Sequence, residues 1–119
     1  MGQTHVMVTV RNPLERQRCW EGRFLVDTGA TDSLVPRRCL EAIGIEPRAK
    51  RSYRLADGSE HEFDTAFAEF EFMDDLAAVR VIFGDDGCEP LLGVIALEST
   101  GTVVDPEGGE LTRRAVLRL

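Results

Sequence analysis

One short segment of the chain brings together the residue types that acid–base hydrolysis requires. The apolar run Phe24-Leu25-Val26 leads directly into Asp27-Thr28-Gly29, a tripeptide that occurs once in the 119 residues. An acid catalyst that splits amides with water needs two carboxylates that share a proton, one acting as base and the other as acid. Because the chain offers only one such turn, the second Asp27 must come from a second chain.

The residues of this tripeptide suit the chemistry individually. A buried strand would deliver Asp27 into the interior, and the Thr28 hydroxyl can form a hydrogen bond across a two-fold axis. Gly29 allows the backbone to turn sharply and to approach a ligand closely. The alternative interpretation is that Asp-Thr-Gly is a simple turn after a strand, which is its commonest meaning when it occurs alone.

A second segment, Glu89–Glu98, favours the catalytic interpretation. It contains Leu91-Leu92-Gly93, followed by residues that can form a short helix. Together the two segments resemble the signatures of the retroviral-type aspartic proteases (retropepsins), which are small homodimers with one Asp-Thr-Gly per subunit. Within that family the chain is most similar to the short microbial single-domain members.

The resemblance implies that Leu91, Leu92 and Gly93 form a structural signature beside the catalytic loop. Gly93 is expected to be required, because a side chain there would collide with the loop that carries Asp27. Between the two signatures, Leu55–His61 contains Asp57-Gly58, the strongest short-hairpin signal in the chain. This hairpin falls where the family places its flap, and the three ordered matches cover residues 4–105.

The fold implied by the resemblance is all-β. We expect a closed acid-protease-type β-barrel with one or two short helices, equivalent to half of a pepsin-like enzyme and assembled as a homodimer. Residues 1–119 are expected to form a single domain.

The coarse pattern of the chain is likewise mostly β. Strands are predicted over residues 4–10, 23–27, 33–35, 51–55, 60–72, 77–83 and 102–104, with a further strand at Leu111 and an edge strand over 115–119. A short helix is predicted over residues 37–43, with Pro36 before it and Gly44 as its stop.

The mechanism implied by the resemblance uses two Asp27 carboxylates. Like charges a few Å apart cannot both ionise, so the pair holds one proton. The ionised Asp27 takes a proton from a shared water that attacks the scissile carbonyl, while the protonated partner polarises the carbonyl oxygen. Thr28 would bond to its twin across the axis, and Gly29 would present its carbonyl to the substrate backbone. Asp57-Gly58 would close over the peptide and exclude water.

The resemblance also implies which residues contact the substrate peptide. No cofactor is expected, and no metal site either, because the two histidines, His5 and His61, are far from any cysteine pair. The candidate substrate-binding residues are Ala30, Thr31, Asp32, Ala56, Asp57, Gly58, Leu91 and Ile95. Apolar barrel walls are expected from Leu34, Val35, Leu91 and Ile95, so the pockets should prefer hydrophobic side chains near the cleaved bond.

The sequence departs from the viral pattern in several places. Viral enzymes commonly pair an acidic residue with an arginine at the places that here hold Thr31 and Val94, so both ends of that pair are absent. Asp32 is expected either to grip substrate backbone or to be a solvated loop acid. His61, in the flap, is interpreted as a surface strand residue.

Composition restricts the possible partners and environments. The net charge of −7 argues against nucleic acid as a partner, because phosphate binding needs clustered Lys and Arg. No stretch approaches the length of a membrane span, and residues 1–6 lack the features of an export signal. Cys19, Cys39 and Cys88 lack metal-ligand spacing and are interpreted as free thiols in a reducing cytoplasm.

Three functional hypotheses follow. The first is a homodimeric aspartic endopeptidase acting on a peptide or protein substrate. The second is an acid-protease fold used as a dimerisation or peptide-binding module, with weak or no hydrolysis. The third is a β-barrel in which Asp27 is a structural turn residue. The intact Asp27-Thr28-Gly29 favours the first over the second, and Leu91-Leu92-Gly93 disfavours the third.

Overall fold

Strands dominate the structure, a computed structural model that describes residues 3–114 and 116–119. In chain order the elements are β1 (His5–Asn12), β2 (Glu15–Val26), β3 (Ser33–Pro36), α1 (Arg37–Ala42), β4 (Ala49–Arg54), β5 (Glu60–Phe72), β6 (Asp75–Gly84), β7 (Leu91–Leu92), α2 (Val94–Ser99), β8 (Thr102–Val104) and β9 (Leu111–Arg113). The prediction of a mostly β chain with one or two short helices is confirmed, and the structure has two. Among these residues, neither helix is long and apolar enough to span a membrane.

Strand pairing links distant parts of the chain. Seven strands form one sheet in the order β1-β2-β7-β3-β6-β5-β4, and β8 pairs with β9 in a separate two-stranded sheet. In addition, β1 pairs with β5 at Thr9↔Glu71, Val10↔Phe70 and Arg11↔Glu69. Strand pairing therefore continues from β1 through β2, β7, β3 and β6 to β5, and β5 pairs with β1 again. At the end of the sheet, β4 pairs with β5 and lies outside this ring of paired strands.

Alternation of apolar and polar residues explains where the core forms. In β1, Val8 and Val10 are fully buried, whereas Met7, directly before Val8, is 51% exposed. Phe24, three residues before Asp27, is also fully buried and packs edge-on against Phe70 with ring centroids 5.8 Å apart. The strand that leads to Asp27 is therefore anchored in the core.

Two strands, β2 and β6, extend well beyond the residues that the sequence pattern predicted. The catalytic strand was expected over residues 23–27, but β2 starts at Glu15 and ends at Val26. Its polar first half pairs with β1, with Trp20 opposite Val10. Because alternate residues of this half are exposed and polar, no run of apolar residues indicates a strand there. Similarly, β6 starts at Asp75 rather than at Ala77.

The chain end differs from the expectation. An edge strand was predicted over residues 115–119, but residues 116–119 form no strand, and residue 115 lies outside the described residues. The predicted hairpin before it is present as β8 and β9, which pair from Thr102↔Arg113 to Val104↔Leu111.

A tight turn that the sequence did not reveal joins β5 to β6. Phe72 pairs with Asp75, so Met73 and Asp74 form a two-residue turn, with φ angles of 53° and 59°. Positive φ at both positions is the geometry that Asn-Gly pairs usually provide in hairpins. Here two residues with a Cβ adopt it, at a steric cost.

Replacing Asp74 with glycine should therefore stabilise the fold. Because glycine adopts positive φ without a Cβ clash, we expect the free energy of unfolding in urea to rise by about 0.5–1 kcal/mol. The matched control is Asp85→Gly in the turn after β6, since Asp85 does not have a positive φ. An Asp74→Gly variant that is no more stable than Asp85→Gly would contradict this account of the turn.

Candidate active site

Asp27 follows directly after the last residue of β2, and its backbone is held by β7. The pairing is parallel, with Leu25 opposite Leu91 and Val26 opposite Leu92. The Asp27 N–H extends this ladder by donating to the Leu92 carbonyl at 3.0 Å. The two sequence signatures are therefore adjacent strands, and the second fixes where the first ends.

The loop after β2 orients the Asp27 carboxylate. Its Oδ1 accepts a hydrogen bond from the Gly29 N–H at 2.9 Å, and the Asp27 carbonyl accepts one from Ala30 at 3.2 Å. Asp27 is half-buried, while Thr28 and Gly29 are exposed. Within residues 3–114 and 116–119, the Thr28 hydroxyl has no hydrogen-bond partner. The tripeptide thus presents an oriented carboxylate and a free hydroxyl at the surface of the single chain.

The same loop closes the start of α2. No side chain caps this helix, and its first N–H groups need acceptors. Val94 donates to the Ala30 carbonyl at 2.8 Å, and Ile95 donates to the Thr31 carbonyl at 3.1 Å. The candidate substrate-binding residues Ala30 and Thr31 therefore hold the second signature through their backbone.

Gly93 lies where this loop and β7 approach most closely. A Cβ added at Gly93 would lie 2.6 Å from the Asp32 carbonyl oxygen and 3.0 Å from that of Thr31. The Gly93 N–H donates to the Oγ of Ser33, which is 1% exposed, at 2.9 Å. As expected from the sequence, the backbone at this point leaves no room for a side chain.

Asp32 is buried rather than solvated. It is 6% exposed, so the interpretation as a solvated loop acid is wrong. Its Oδ2 accepts a hydrogen bond from the Tyr53 hydroxyl at 2.6 Å. Burial raises the pKa of Tyr53 well above its usual value, and the hydrogen bond to Asp32 raises it further. Tyr53 belongs to no sequence motif, and only the fold reveals this link between β4 and the loop.

The predicted flap is the hairpin of β4 and β5. Its tip, Ala56-Asp57-Gly58, is a three-residue loop closed by a hydrogen bond from Leu55 N to the Ser59 carbonyl at 2.8 Å. Gly58 has a φ of +88°, which is the glycine position of such loops. Asp57 accepts hydrogen bonds from the Ser59 hydroxyl and N–H, and these lower its pKa. The tip is exposed throughout.

The expected apolar walls are only partly available. Leu34 and Leu91 are half-buried, and Ile95 is 42% exposed. Val35 is fully buried in the core, so its assignment to a pocket wall is wrong. Successive residues of a strand face opposite sides, and the core takes Val35 while Leu34 faces the other way.

The three cysteines, Cys19, Cys39 and Cys88, are free thiols. Burial raises the pKa of both Cys39 and Cys88. In the described part of the chain, no three His, Cys, Asp or Glu side chains come together as a metal site.

Comparison with known proteins gives one family and one fold. The family model described as "gag-polyprotein putative aspartyl protease" matches residues 20–99, which include both signatures. No curated protein matches the chain. Among solved structures, the foamy viral protease-reverse transcriptase, determined in complex with an RNA/DNA hybrid, is similar with a TM-score of 0.59 at 13% identity. That likeness covers 80% of this chain and 11% of the viral chain, and it concerns the fold alone.

The close approach at Gly93 predicts a large effect of one methyl group. Gly93→Ala should lower the free energy of unfolding by about 1–3 kcal/mol, because the neighbouring atoms are backbone and must shift. Urea denaturation measures this, with Gly87→Ala as the control, since no atom lies within 4 Å of a Cβ added at Gly87. Equal stabilities of the two variants would show that the loop can move aside freely.

Proposed function

Because this chain belongs to the gag-polyprotein putative aspartyl protease family, we propose that it is an aspartic endopeptidase that works as a homodimer. The observation that carries the proposal is the oriented, half-buried Asp27 carboxylate, held by Gly29 in a loop fixed by Leu92 and α2. One such carboxylate per chain supports a site completed by a second copy.

In the proposed mechanism, the Asp27 carboxylates of two subunits share one proton. The ionised carboxylate takes a proton from a water molecule, whose oxygen attacks the scissile carbonyl carbon. The protonated carboxyl group donates its hydrogen bond to the carbonyl oxygen as negative charge develops there. Proton transfer to the departing nitrogen then breaks the C–N bond, and no covalent intermediate with the protein forms.

Surface features of the single chain support dimer formation. Thr28 is exposed with an unbonded hydroxyl within the described residues, so a twin Thr28 across a two-fold axis would give it a partner. The large apolar side chains of Val116 and Leu117 are also exposed, at 84% and 54%. A second subunit could cover such a surface.

The proposal includes a closed barrel. The ring of paired strands, in which β5 pairs with β1, supports it. Substrate would lie between this barrel and the flap tip at Ala56, Asp57 and Gly58. Leu91 and Ile95 would provide apolar contacts near the cleaved bond. Three free thiols further support a reducing compartment such as the cytoplasm.

Activity should depend on Asp27 and on enzyme concentration. We expect Asp27→Asn to reduce cleavage of a denatured-proteome peptide library by at least about a hundredfold, because the shared proton and the base are lost. Cut sites are identified by mass spectrometry at several acidic pH values. Near the dissociation constant of the dimer, the rate should rise with the square of the chain concentration.

The control for this experiment is Asp74→Asn, which makes the same change in an exposed turn. Undiminished cleavage by Asp27→Asn would exclude the carboxylate pair. Dimerisation and peptide binding without cleavage by the unaltered chain would instead identify a binding module.

Association should strengthen as pH falls from 7 to 5. Each chain carries −7 at pH 7, so two chains carry twice that, −14, and repel until acidic side chains take up protons. The Asp27 pair adds an effect of the same sign, since the dimer holds a shared proton more tightly than separate chains do. Added salt should favour association at pH 7, because the screening length is about 10 Å in 0.1 M salt.

The fold should persist over this range. Hydrogen bonds from Lys50 and Arg37 hold the pKa of Asp64 below its usual range. A depressed carboxyl pKa stabilises the folded state at all pH values above the unfolded pKa, and this contribution is lost only below it. Analytical ultracentrifugation over pH and salt measures the dissociation constant. A value that is flat with pH, or that rises toward acid, would contradict both electrostatic arguments.

A further inference from the structure

The two arms of the flap bring a defined set of side chains to one face. Side chains alternate along β4, so Arg51 and Tyr53 lie on the same face. The register with β5 places His61 opposite Tyr53 and Phe63 opposite Arg51, and residues directly opposite share a face. We refer to Arg51, Tyr53, His61 and Phe63 as the Tyr53 face.

This face is turned toward the loop that carries Asp27. The Tyr53 hydroxyl donates to Asp32 Oδ2 at 2.6 Å, and Asp32 is in the same loop as Asp27. The rings of Tyr53 and Phe63 pack edge-on with centroids 6.0 Å apart, which keeps the phenol in this direction. In the endopeptidase proposed above, a peptide that binds over Asp27 beneath the flap would run beside the Tyr53 face.

Positive charge on the opposite face of the arms is neutralised, whereas that of Arg51 is not. On the opposite face, Lys50 pairs with Asp64 at 2.8 Å and Arg54 pairs with Glu60 at 2.7 Å. Within residues 3–114 and 116–119, Arg51 forms no ion pair. Asp32, the carboxylate that this face contacts, already accepts the hydroxyl of Tyr53.

A second cation lies near the same phenol. The positive charges of Arg51 and Arg80 both lower the pKa of Tyr53, against the larger raising effects of burial and of the hydrogen bond to Asp32. The Arg80 guanidinium lies over the Phe67 ring, 5.1 Å from its centroid. Arg51 and Arg80 therefore bring two positive charges near the Tyr53 phenol, beside the carboxylate of Asp32.

We propose that the Tyr53 face recognises an acidic side chain of the substrate, and that Arg51 is the specificity-determining residue that binds its carboxylate. A guanidinium presents paired donors that match the two oxygens of a carboxylate. The inference rests on the peptidase function proposed above and adds a substrate class to it. Since two-fold symmetry repeats the flap, Glu or Asp is preferred at matching distances on both sides of the cleaved bond.

The test is a Glu and Gln scan through a peptide that the unaltered enzyme cleaves. The assay is run at pH 6, where a glutamate with an ordinary pKa of about 4.3 is ionised. At one position on each side of the cleaved bond, kcat/KM for Glu should exceed that for Gln by about five- to tenfold. Arg51→Gln should bring this ratio to about one, and Arg51→Glu should favour Lys at the same positions.

The matched control is Arg54→Gln, which removes the same charge from the neighbouring opposite face and should leave the Glu-to-Gln ratio unchanged. A ratio near one in the unaltered enzyme, or one that survives in Arg51→Gln, would overturn the inference. Loss of the ratio in both variants would point to general charge rather than to Arg51, and would also overturn it.

Failure of the peptidase function is recognised separately, as the absence of any cleavage. In that case the inference is decided by binding of fluorescent random peptides that contain either Glu or Gln to the Asp27→Asn chain, measured by anisotropy at pH 6. Tighter binding of the Glu peptides that disappears when Arg51→Gln is added supports the inference. Equal binding of the two peptide sets overturns it.

Discussion

The arrangement of the site depends on one contact, between the loop that carries Asp27 and the segment from Leu92 to Ile95. The contact has three hydrogen bonds from backbone N–H groups to carbonyl oxygens: from Asp27 to Leu92, from Val94 to Ala30 and from Ile95 to Thr31. A helix as short as α2 is not stable alone, and here the loop carbonyls act as its cap. In return, the helix fixes the loop. Each signature therefore holds the backbone of the other in place.

This mutual support explains why the half-buried carboxylate is already oriented in the single chain. Phe24 anchors the preceding strand in the core, and Gly29 fixes one oxygen of Asp27. The position of the carboxylate is thus set by the fold rather than by a ligand. A group that is preorganised in this way needs no rearrangement when charge develops beside it. In the proposed dimer, the twin carboxylate would arrive at a site whose geometry already exists.

The sequence predicted the elements that have a local pattern and missed those that depend on tertiary context. The motif at Asp27, the flap hairpin and the glycine at position 93 carry chemical signals that act over a few residues. The polar first half of β2 does not, because its pairing with β1 rather than its apolar content makes it a strand. Whether Leu34 or Val35 faces the core depends on the register of β3 with β6, which no local pattern specifies. Tyr53 was missed for the same reason, since its partner is distant in the sequence.

The position of the Tyr53 hydrogen bond divides the flap into a fixed and a free part. Tyr53 ties β4 to Asp32 close to the tip, since beyond it only the pair Arg54↔Glu60 and the exposed tip remain. Segments with few buried apolar contacts and exposed backbone hydrogen bonds open at the lowest free energy. Movement of the flap over a substrate would therefore be confined to residues 54–60. Opening of this part leaves the link to Asp32 intact, so the loop that orients Asp27 keeps its geometry through the proposed cycle.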